Sequence, residues 1–327
     1  MYHSEIIGVG AYVPSKIVSN KELEAIVDTS HEWIVSRTGI AERRISTGEK
    51  TTQLAVQAAR KAIEQADIDS REIDLAIIAT ITPDYFTPST ASLVQAELGL
   101  KEITSFDIAA GCTGFIYGIQ IADQFIKSGQ SSCALVIGAE VLSKVTDWKD
   151  RNTCVLFGDG AGAVILKRST KEGIIYSYTG SRGDLEGLLT LPAISLQNPF
   201  FPYNSFVQNH SHIYMNGKEI FKFATNIMIK SIEKVLKESK LTISEIDYFI
   251  SHQANYRIID FVAKKLKVPS TKFYKNMDHF GNTSAASIPL ALSEMVSQEM
   301  IQYGHRIIMV GFGGGLTWGS ILLNWTR

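Results

Sequence analysis

The amino-acid sequence predicts an α/β protein built from two related halves. Apolar runs of strand length alternate with longer segments of helical period, a pattern typical of βαβ units and mostly parallel sheets. One stretch of the first half is repeated in the second, and each half has a glycine-containing turn that opens an apolar helix. A chain of 327 residues has room for two such units or one large domain.

Short apolar runs bounded by turn residues predict the strands, and longer segments with apolar residues at helical spacing predict the helices. The predicted strands are Ile73–Ala79, Ala134–Gly138, Cys154–Phe157, Ala163–Leu166, Ile246–Ser251, Ile307–Val310 and Ser320–Asn324. The predicted helices are Gln53–Ala66, Thr90–Leu98, Thr113–Lys127, Glu219–Glu238, Tyr256–Leu266 and Ser284–Met300. Gly180–His212 is rich in Gly, Pro and aromatic residues, so we expect an irregular excursion at a binding face.

An internal repeat relates the two halves. The stretch 70–78 resembles 243–250 at a constant offset of 173 positions, so that Ile246 corresponds to Ile73. Downstream, Cys112 and Asn282 each lie where a glycine-containing turn opens an apolar helix. We therefore expect two halves, 1–172 and 173–327, whose equivalent helices are buried together. Cys112 and Asn282 would then lie near a shared centre.

Composition excludes several classes of function. The chain is 45% hydrophobic and 20% charged, and 32 Lys and Arg balance 33 Asp and Glu, for a net charge of −1. With so small a net charge, the protein as a whole has no electrostatic field that would attract nucleic acid or an anionic membrane. The first ten residues lack a signal pattern, and no run reaches the roughly 18 apolar residues of a membrane span. Three cysteines suggest a reducing compartment, so we expect a cytoplasmic protein.

Cys112 is the candidate nucleophile. At a helix N-terminus, unpaired N–H groups and the macrodipole favour thiolate over thiol, so we expect its pKa to fall below about 8.5. Gly111 and Gly114 allow close backbone approach and leave room for a substrate. Cys133 and Cys154, in strand-like apolar sequence, are more typical of small buried hydrophobes.

Two further polar residues and a glycine run are candidates for the same site. His252 follows the predicted strand Ile246–Ser251, and the carboxyl ends of strands are where open α/β sheets place their chemistry. This position favours a general acid or hydrogen-bond donor over an ordinary buried histidine. Asn282 would by default cap a helix. Gly311–Gly315 is either a flexible turn or a set of N–H groups that holds an oxyanion.

Nucleotide and metal sites are not predicted. Neither Gly158–Gly162 nor Gly311–Gly315 is followed by the Lys-Ser or Lys-Thr of a P-loop, and Gly8–Gly10 lacks the third glycine of a dinucleotide fingerprint. His210 and His212 form a lone His-x-His pair without the spacing of further ligands.

Four motifs in order make the chain similar to the beta-ketoacyl-[acyl-carrier-protein] synthase III family, the condensing enzymes that start bacterial type II fatty-acid synthesis. The motifs are Asp107–Gly114, Ser251–Asn255, Gly281–Ser287 and Phe312–Gly315; the likeness runs from Ile7 to Trp325 and includes Glu32–Ile40. This resemblance implies a thiolase-like five-layered α-β-α-β-α fold with two pseudo-equivalent halves, and a homodimer.

The resemblance also implies a reaction. Cys112 attacks the thioester of an acyl-CoA and becomes acylated, and His252 and Asn282 then bind the thioester carbonyl of malonyl-acyl carrier protein as it loses CO2. The resulting carbanion attacks the acyl group, while the N–H groups of Cys112 and Gly314 hold the oxyanion. Decarboxylation itself generates the nucleophile, so no cofactor or metal is expected.

By similarity to the family, individual residues of this chain match positions that contact the substrates. The matching CoA contacts are Trp33 and Arg151 for the adenine, Arg37 for the phosphates, and Gly217, Phe221 and Asn255 for the pantetheine tunnel. The acyl-pocket positions are Thr87, Leu142 and Phe157, and the carrier-protein docking positions are Lys222, Gln253, Ala254, Arg257, Lys264 and Lys265. Without the resemblance, these charges would be typical of a solvated helix face. Thr87 stands where some members have a Phe that closes the pocket, so we expect primers longer or more branched than acetyl.

Alternative functions differ in the residues they need. A degradative thiolase uses a second cysteine near the C-terminal glycine run, whereas no cysteine follows Cys154. Chain-elongating synthases use two histidines, whereas Asn282 occupies the second place here. A specialised acyltransferase of secondary metabolism would use the same three residues. A CoA- or carrier-protein-binding scaffold would need none of them.

Overall fold

Two five-stranded sheets form the frame of the protein. The computed structural model describes residues 2–184, 186–194 and 211–327. The strands up to residue 172 are β1 (His3–Tyr12), β2 (Ile17–Ser19), β3 (Glu42–Arg44), β4 (Leu75–Ala79), β5 (Thr104–Ile108), β6 (Cys133–Glu140) and β7 (Gly160–Ser169). Those beyond it are β8 (Ile174–Ser181), β9 (Leu189–Thr190), β10 (Tyr214–Met215), β11 (Tyr248–Ser251), β12 (Phe273–Tyr274), β13 (Arg306–Gly313) and β14 (Thr317–Asn324).

The helices include all six that the apolar spacing predicts. They are α1 (Asn20–Glu24), α2 (His31–Thr38), α3 (Thr51–Ala66), α4 (Thr90–Leu98), α5 (Gly114–Ser128), α6 (Arg151–Cys154), α7 (Gly217–Ser239), α8 (Tyr256–Leu266), α9 (Met277–Phe280) and α10 (Ser287–Ser297). Two short 3-10 turns matter for the site, Gly111–Thr113 before α5 and Ser284–Ala286 before α10. The helices within the described ranges all fall short of the length and apolar character that crossing a membrane requires.

Strand order confirms that the two halves are related. The first sheet has the order β1-β7-β6-β4-β5 and the second β8-β14-β13-β11-β12. In each sheet the two pairings nearest the β5 or β12 edge are parallel and the other two are antiparallel. The expectation of mostly parallel sheets was therefore wrong. Residues 314–316 link β13 to β14, and so short a connection permits only antiparallel pairing.

Alternating side chains bury both faces of each sheet and produce five layers. One face of the first sheet packs with α3 and α4. Its other face, one face of the second sheet, and helices α5 and α10 share a single hydrophobic cluster. The remaining face of the second sheet packs with α7 and α8. The predicted α/β fold with two pseudo-equivalent halves is confirmed, and its central layer contains the two equivalent helices.

The predicted strand Cys154–Phe157 was wrong. Asp150 accepts a hydrogen bond from the Asn152 N–H and thereby caps the short helix α6, which ends at Cys154. Phe157 makes only an isolated bridge to Asn282. The sequence pattern also missed β1, β5 and β8, and β5 is an edge strand whose half-buried residues include Ser105 and Asp107. Such a strand lacks the continuous apolar run of a central one.

Glycine allows the two halves to approach closely beside the central helices. Gly138 in β6 faces the 3-10 turn before α10, where an added Cβ would lie 2.1 Å from the carbonyl oxygen of Ala285. No side chain fits such a separation. The absence of a side chain at Gly138 therefore sets the position of the turn that follows Asn282.

We expect Gly138→Ala to lower the free energy of unfolding by about 1–3 kcal/mol, because the new methyl group displaces backbone that cannot yield. Urea denaturation monitored by circular dichroism measures this change. Gly183→Ala is the matched control, since an added Cβ there has nothing within 4 Å, and its effect should stay within about 0.5 kcal/mol. Equal stability of the two variants would contradict the close approach.

Candidate active site

A cavity of about 550 Å³ brings together residues from both halves of the chain. Cys112, His252 and Asn282 all line it, as does Gly314. Cys112 comes from the first half and the other three from the second. The structure thus places the predicted nucleophile and its predicted partners around one space.

Backbone packing positions Cys112 against the C-terminal glycine run. An added Cβ on Gly313 would lie 2.6 Å from the Cys112 nitrogen, and one on Gly111 would lie 3.0 Å from the Gly314 nitrogen. Gly111 has φ +53°, which glycine adopts without strain. The backbone nitrogens of Cys112 and Gly314 therefore belong to two segments in direct contact. This arrangement suits a pair of N–H donors for an oxyanion.

The protonation state of Cys112 differs from the expectation. Burial raises the pKa of the Cys112 thiol to about 12, and the nearby Glu140 carboxylate raises it further, while a hydrogen bond with Ser284 acts in the opposite direction. The predicted lowering of this pKa was wrong for the resting site, because removal from water outweighs the helix N-terminus. Cys112 therefore rests as a neutral thiol.

His252 follows β11 and is held by both backbone and side chain. Its N–H donates to the Val310 carbonyl (2.8 Å), Nδ1 lies 2.8 Å from Ser287 Oγ, and the ring meets Phe312 edge-on at 5.2 Å. The residue is 2% exposed, and burial lowers its pKa to about 3. The imidazole is therefore neutral near pH 7. With Nδ1 occupied, Nε2 is the ring nitrogen left for a substrate.

Asn282 presents its side-chain N–H2 group as a donor, because its side-chain oxygen already accepts a hydrogen bond. Its Oδ1 accepts the Ser284 N–H at 2.9 Å, so the side-chain oxygen is engaged just before the 3-10 turn and Nδ2–H2 is left unengaged by that bond. The backbone is anchored on both sides, with the Asn282 N–H donating to Leu156 and its carbonyl accepting from Gly158. The default prediction that Asn282 caps a helix was wrong, since Thr283 is the N-cap of the 3-10 turn and Ala286 that of α10.

Sequence reasoning missed three polar residues beside these side chains. Ser287 holds the His252 ring, and the Ser284 hydroxyl donates to the carboxyl of Glu140 at 3.2 Å. Both serines lie within the quoted motif at 281–287, but nothing in the pattern distinguished them from capping residues. Glu140 could have been found as a carboxyl that ends an otherwise apolar strand.

The expected adenine-binding residues lie together. Arg37 is 6.0 Å and Arg151 5.0 Å from the centre of the Trp33 ring, so two guanidinium groups approach one aromatic side chain. Arg151 also donates to the Asp28 carbonyl (2.8 Å). Asn255 lies beside this group, since its Nδ2 donates to the Arg37 carbonyl at 3.1 Å.

Some of the residues expected in the pantetheine tunnel and the acyl pocket line the cavity, and others do not. Leu142 and Phe157 line the cavity. Gly217 and Phe221 do not line it, although their neighbours Met215 and Ile220 do.

Thr87 is exposed and lies outside the lining of this chain's cavity, whereas Tyr85 and Phe86 line it. The small side chain of Thr87 therefore adds no volume here, and the expected preference for longer primers stays a prediction.

The expected docking face is mostly exposed. Its accessible charged residues, on α7 and α8, are Lys222, Arg257, Lys264 and Lys265. Gln253 is an exception, because it is buried and its side chain bonds the carbonyls of Ser251 and Tyr274 and the Asn276 N–H. Its side chain is not available to a partner. Ala254 lines the cavity.

The first part of the irregular segment Gly180–His212 contributes residues to the cavity lining. Leu189, Thr190 and Leu191 line the cavity, whereas residues 195–210 lie outside the described residues, and His210 with them. His212 is exposed. Over the part of the chain that the structure describes, no group of three or more His, Cys, Asp or Glu residues is arranged to hold a metal ion.

Comparison with known proteins gives one consistent result. A family model described as 3-oxoacyl-[acyl-carrier-protein (ACP)] synthase III matches residues 106–183, and its C-terminal counterpart matches 236–325. Proteins named beta-ketoacyl-[acyl-carrier-protein] synthase III are 53% identical in Clostridium acetobutylicum (99% of each chain) and 52% in Clostridium novyi (99% of this chain, 100% of the relative). The crystal structure of 3-oxoacyl-[acyl-carrier-protein] synthase III from Aquifex aeolicus superposes with a TM-score of 0.92 at 46% identity, over 98% of this chain and 99% of that one.

We expect the free energy of unfolding to depend on pH because His252 is buried in its neutral form. Its folded pKa of about 3 lies below the ordinary 6.5, so this stabilisation is present above pH 6.5 and is lost as the pH falls toward 3. At pH 5 the loss amounts to about 2 kcal/mol. His252→Gln should therefore lose about 2 kcal/mol less than the unmodified protein between pH 7.5 and 5.

Urea unfolding at the two pH values measures this difference. The same replacement at the exposed His212 is the control, and it should leave the pH dependence of the parent protein in place. An identical pH dependence for His252→Gln and the parent would show that the imidazole gains its proton in the folded state.

Proposed function

The chain belongs to the 3-oxoacyl-[acyl-carrier-protein] synthase III family, and we propose that Cys112, His252 and Asn282 perform its decarboxylative Claisen condensation. An acyl-CoA primer and malonyl-acyl carrier protein give 3-oxoacyl-carrier protein, CoA and CO2, the step that initiates type II fatty-acid synthesis. One observation carries this assignment: a thiol, a free imidazole nitrogen and a free carboxamide N–H2 share one cavity.

Acyl transfer comes first. The Cys112 sulfur attacks the thioester carbonyl of the primer, and the backbone N–H groups of Cys112 and Gly314 receive the oxyanion. Collapse of this intermediate releases CoA and leaves the acyl group on Cys112. The apolar side chains of Leu142 and Phe157 line the space for that group, and a dry site strengthens each polar interaction with the developing charge.

Condensation follows at the same sulfur. His252 Nε2 and Asn282 Nδ2 donate to the thioester carbonyl of the malonyl group, which becomes an enolate as CO2 leaves. This role requires the proton of neutral His252 on Nε2, so the Ser287 hydroxyl must turn from the Ser284 carbonyl, to which it donates at 2.9 Å, and donate to Nδ1 instead. The carbanion then attacks the acyl thioester and displaces the Cys112 thiolate. Each donor to such an oxyanion typically contributes about 3–4 kcal/mol to the barrier reduction.

Substrate delivery uses two groups of surface residues. Trp33 and its two arginine neighbours suit the adenine and phosphates of CoA, since guanidinium groups bind phosphate well. The exposed cations of α7 and α8 suit an acidic carrier protein. Beyond these substrates the proposed chemistry uses no metal or cofactor, because the malonyl carboxylate supplies the electron pair.

A homodimer in the cytoplasm completes the proposal. The strand β5 forms an edge of its sheet, and an unpaired edge can extend a sheet into a second copy. Phe86 is 74% exposed, so association at this side would cover a large apolar side chain.

We expect intact-protein mass spectrometry after exposure to acyl-CoA to show one acyl adduct that disappears when malonyl-acyl carrier protein is added. Cys112→Ala should show no adduct, because the nucleophile is gone. Cys133→Ala is the matched control, since Cys133 is a buried thiol on a strand, and it should acylate as the parent does. An adduct on Cys112→Ala would contradict the assignment.

We expect Asn282→Asp to slow malonyl decarboxylation by about 10²–10³-fold, because an anionic oxygen replaces the Nδ2 donor at nearly constant shape. Acylation by the primer should persist, since it does not use this donor. Release of labelled CO2 and the mass of the acyl-enzyme separate the two steps. Equal losses in both would point to a general disturbance of the cavity.

A further inference from the structure

A buried carboxyl joins the two halves of the chain and has no part in the mechanism above. Glu140 is the last residue of β6 and is 0% exposed. Its carboxylate accepts from Thr82 Oγ1 (2.5 Å), Thr80 Oγ1 (3.2 Å) and the Ile81 N–H (3.2 Å), all in the first half. A further donor, Ser284 Oγ at 3.2 Å, comes from the second half. Because the first half already holds the carboxylate, it is a fixed acceptor for this hydroxyl.

Ser284 has a backbone conformation that needs support. Its φ is +50°, in the left-handed region that residues other than Gly, Asn and Asp rarely adopt. The residue is 1% exposed and is the first of the 3-10 turn before α10. Its hydrogen bond to Glu140 offsets the strain, since it ties the side chain to an acceptor that is fixed in the other half.

The N–H of the same serine decides which side-chain atom Asn282 presents to the cavity. Asn282 Oδ1 accepts this N–H at 2.9 Å. If the amide turned by 180°, Nδ2 would face the Ser284 N–H and two donors would oppose each other. Oδ1 would then face the substrate and would repel an enolate instead of donating to it. The position of one backbone N–H therefore sets the orientation of the amide.

We propose that Glu140 is a positioning residue, which acts through Ser284 to direct Asn282 Nδ2 toward the malonyl thioester. The inference rests on the proposed function. Glu140 exchanges no proton and touches no substrate in this role. Because Asn282 takes part in condensation and not in acyl transfer, loss of the support should slow decarboxylation and leave acylation of Cys112 unchanged. A displacement of about 1 Å in such a group can cost about 100-fold in rate.

Two replacements of Ser284 separate support of the backbone from a direct role of the hydroxyl. Ser284→Ala removes the hydroxyl and keeps the strain, so the turn should relax and carry the N–H away from Asn282. We expect release of labelled CO2 from malonyl-acyl carrier protein to slow about 100-fold. Ser284→Gly also lacks the hydroxyl, but glycine adopts this φ without strain, so it should release CO2 at least about tenfold faster than Ser284→Ala.

Rapid quench and intact-protein mass spectrometry measure acylation by acyl-CoA in the same variants, which should match the parent within about twofold. Parent-like CO2 release in Ser284→Ala would overturn the proposal. Equal losses in Ser284→Ala and Ser284→Gly would do the same, because they would assign the effect to the hydroxyl itself. A parent that is never acylated, or is acylated but releases no CO2, would instead remove the proposed function.

Replacements of Glu140 test the acceptor. Glutamine keeps a side-chain oxygen for the Ser284 hydroxyl, whereas methionine has a similar length and no such oxygen. We expect Glu140→Gln to release CO2 at least about tenfold faster than Glu140→Met. In the Ser284→Gly background, Glu140→Met should slow this step by less than about threefold, because the hydroxyl it would lose is already absent. Additive losses in that double variant would refute the connection.

Asp123→Leu is the matched control for the loss of a buried carboxyl. Asp123 is 1% exposed on α5, accepts from Ser4 Oγ at 2.6 Å and pairs with Lys127 at 2.8 Å. None of these residues lines the cavity, so the variant should lose stability and keep the parent's ratio of CO2 release to acylation. A fall in that ratio as large as in Glu140→Met would make the effect general and refute the proposal. If Glu140→Met does not fold, the two Ser284 variants decide the question.

Discussion

The requirement that buried polar atoms be hydrogen-bonded governs the site. The cavity lies between two sheets in a largely apolar interior, so each reactive side chain is anchored at one atom and presents another. His252 is bonded at Nδ1 and presents Nε2, and Asn282 is bonded at Oδ1 and presents Nδ2. The anchors, Ser287 and the Ser284 N–H, both come from the segment where the second central helix begins. One short segment thereby orients two donors.

The same burial explains why the groups rest uncharged. The pKa of His252 is lowered and that of Cys112 raised by removal from water, so neither carries a charge before substrate binds. Glu140 is the carboxyl close enough to influence the thiol, and its raised pKa makes both of its protonation states accessible near pH 7. A site that holds neutral donors suits chemistry in which negative charge develops on the substrate.

Symmetry between the halves explains the location of the chemistry. Each half contributes a turn that precedes a central helix; the two turns contact each other, and the first also contacts the glycine run that ends β13. Glycines at the contacts let backbones meet where side chains would separate them. By the offset of 173 positions Cys112 corresponds to Ala285, the middle residue of the second turn, and Asn282 lies just before that turn.

The amino-acid sequence alone determined the α/β class, the duplication and all six long apolar helices, and it singled out Cys112, His252 and Asn282 as candidate site residues, because these depend on local periodicity and short motifs. The tertiary structure decided the rest. Only packing shows that Cys112 is desolvated enough to rest as a thiol, that Gln253 faces inward, and that Thr87 lies outside the cavity lining. The hydrogen bond from Ser284 to Glu140 joins residues 144 positions apart. Burial and long-range contact depend on the whole fold, and no local pattern encodes them.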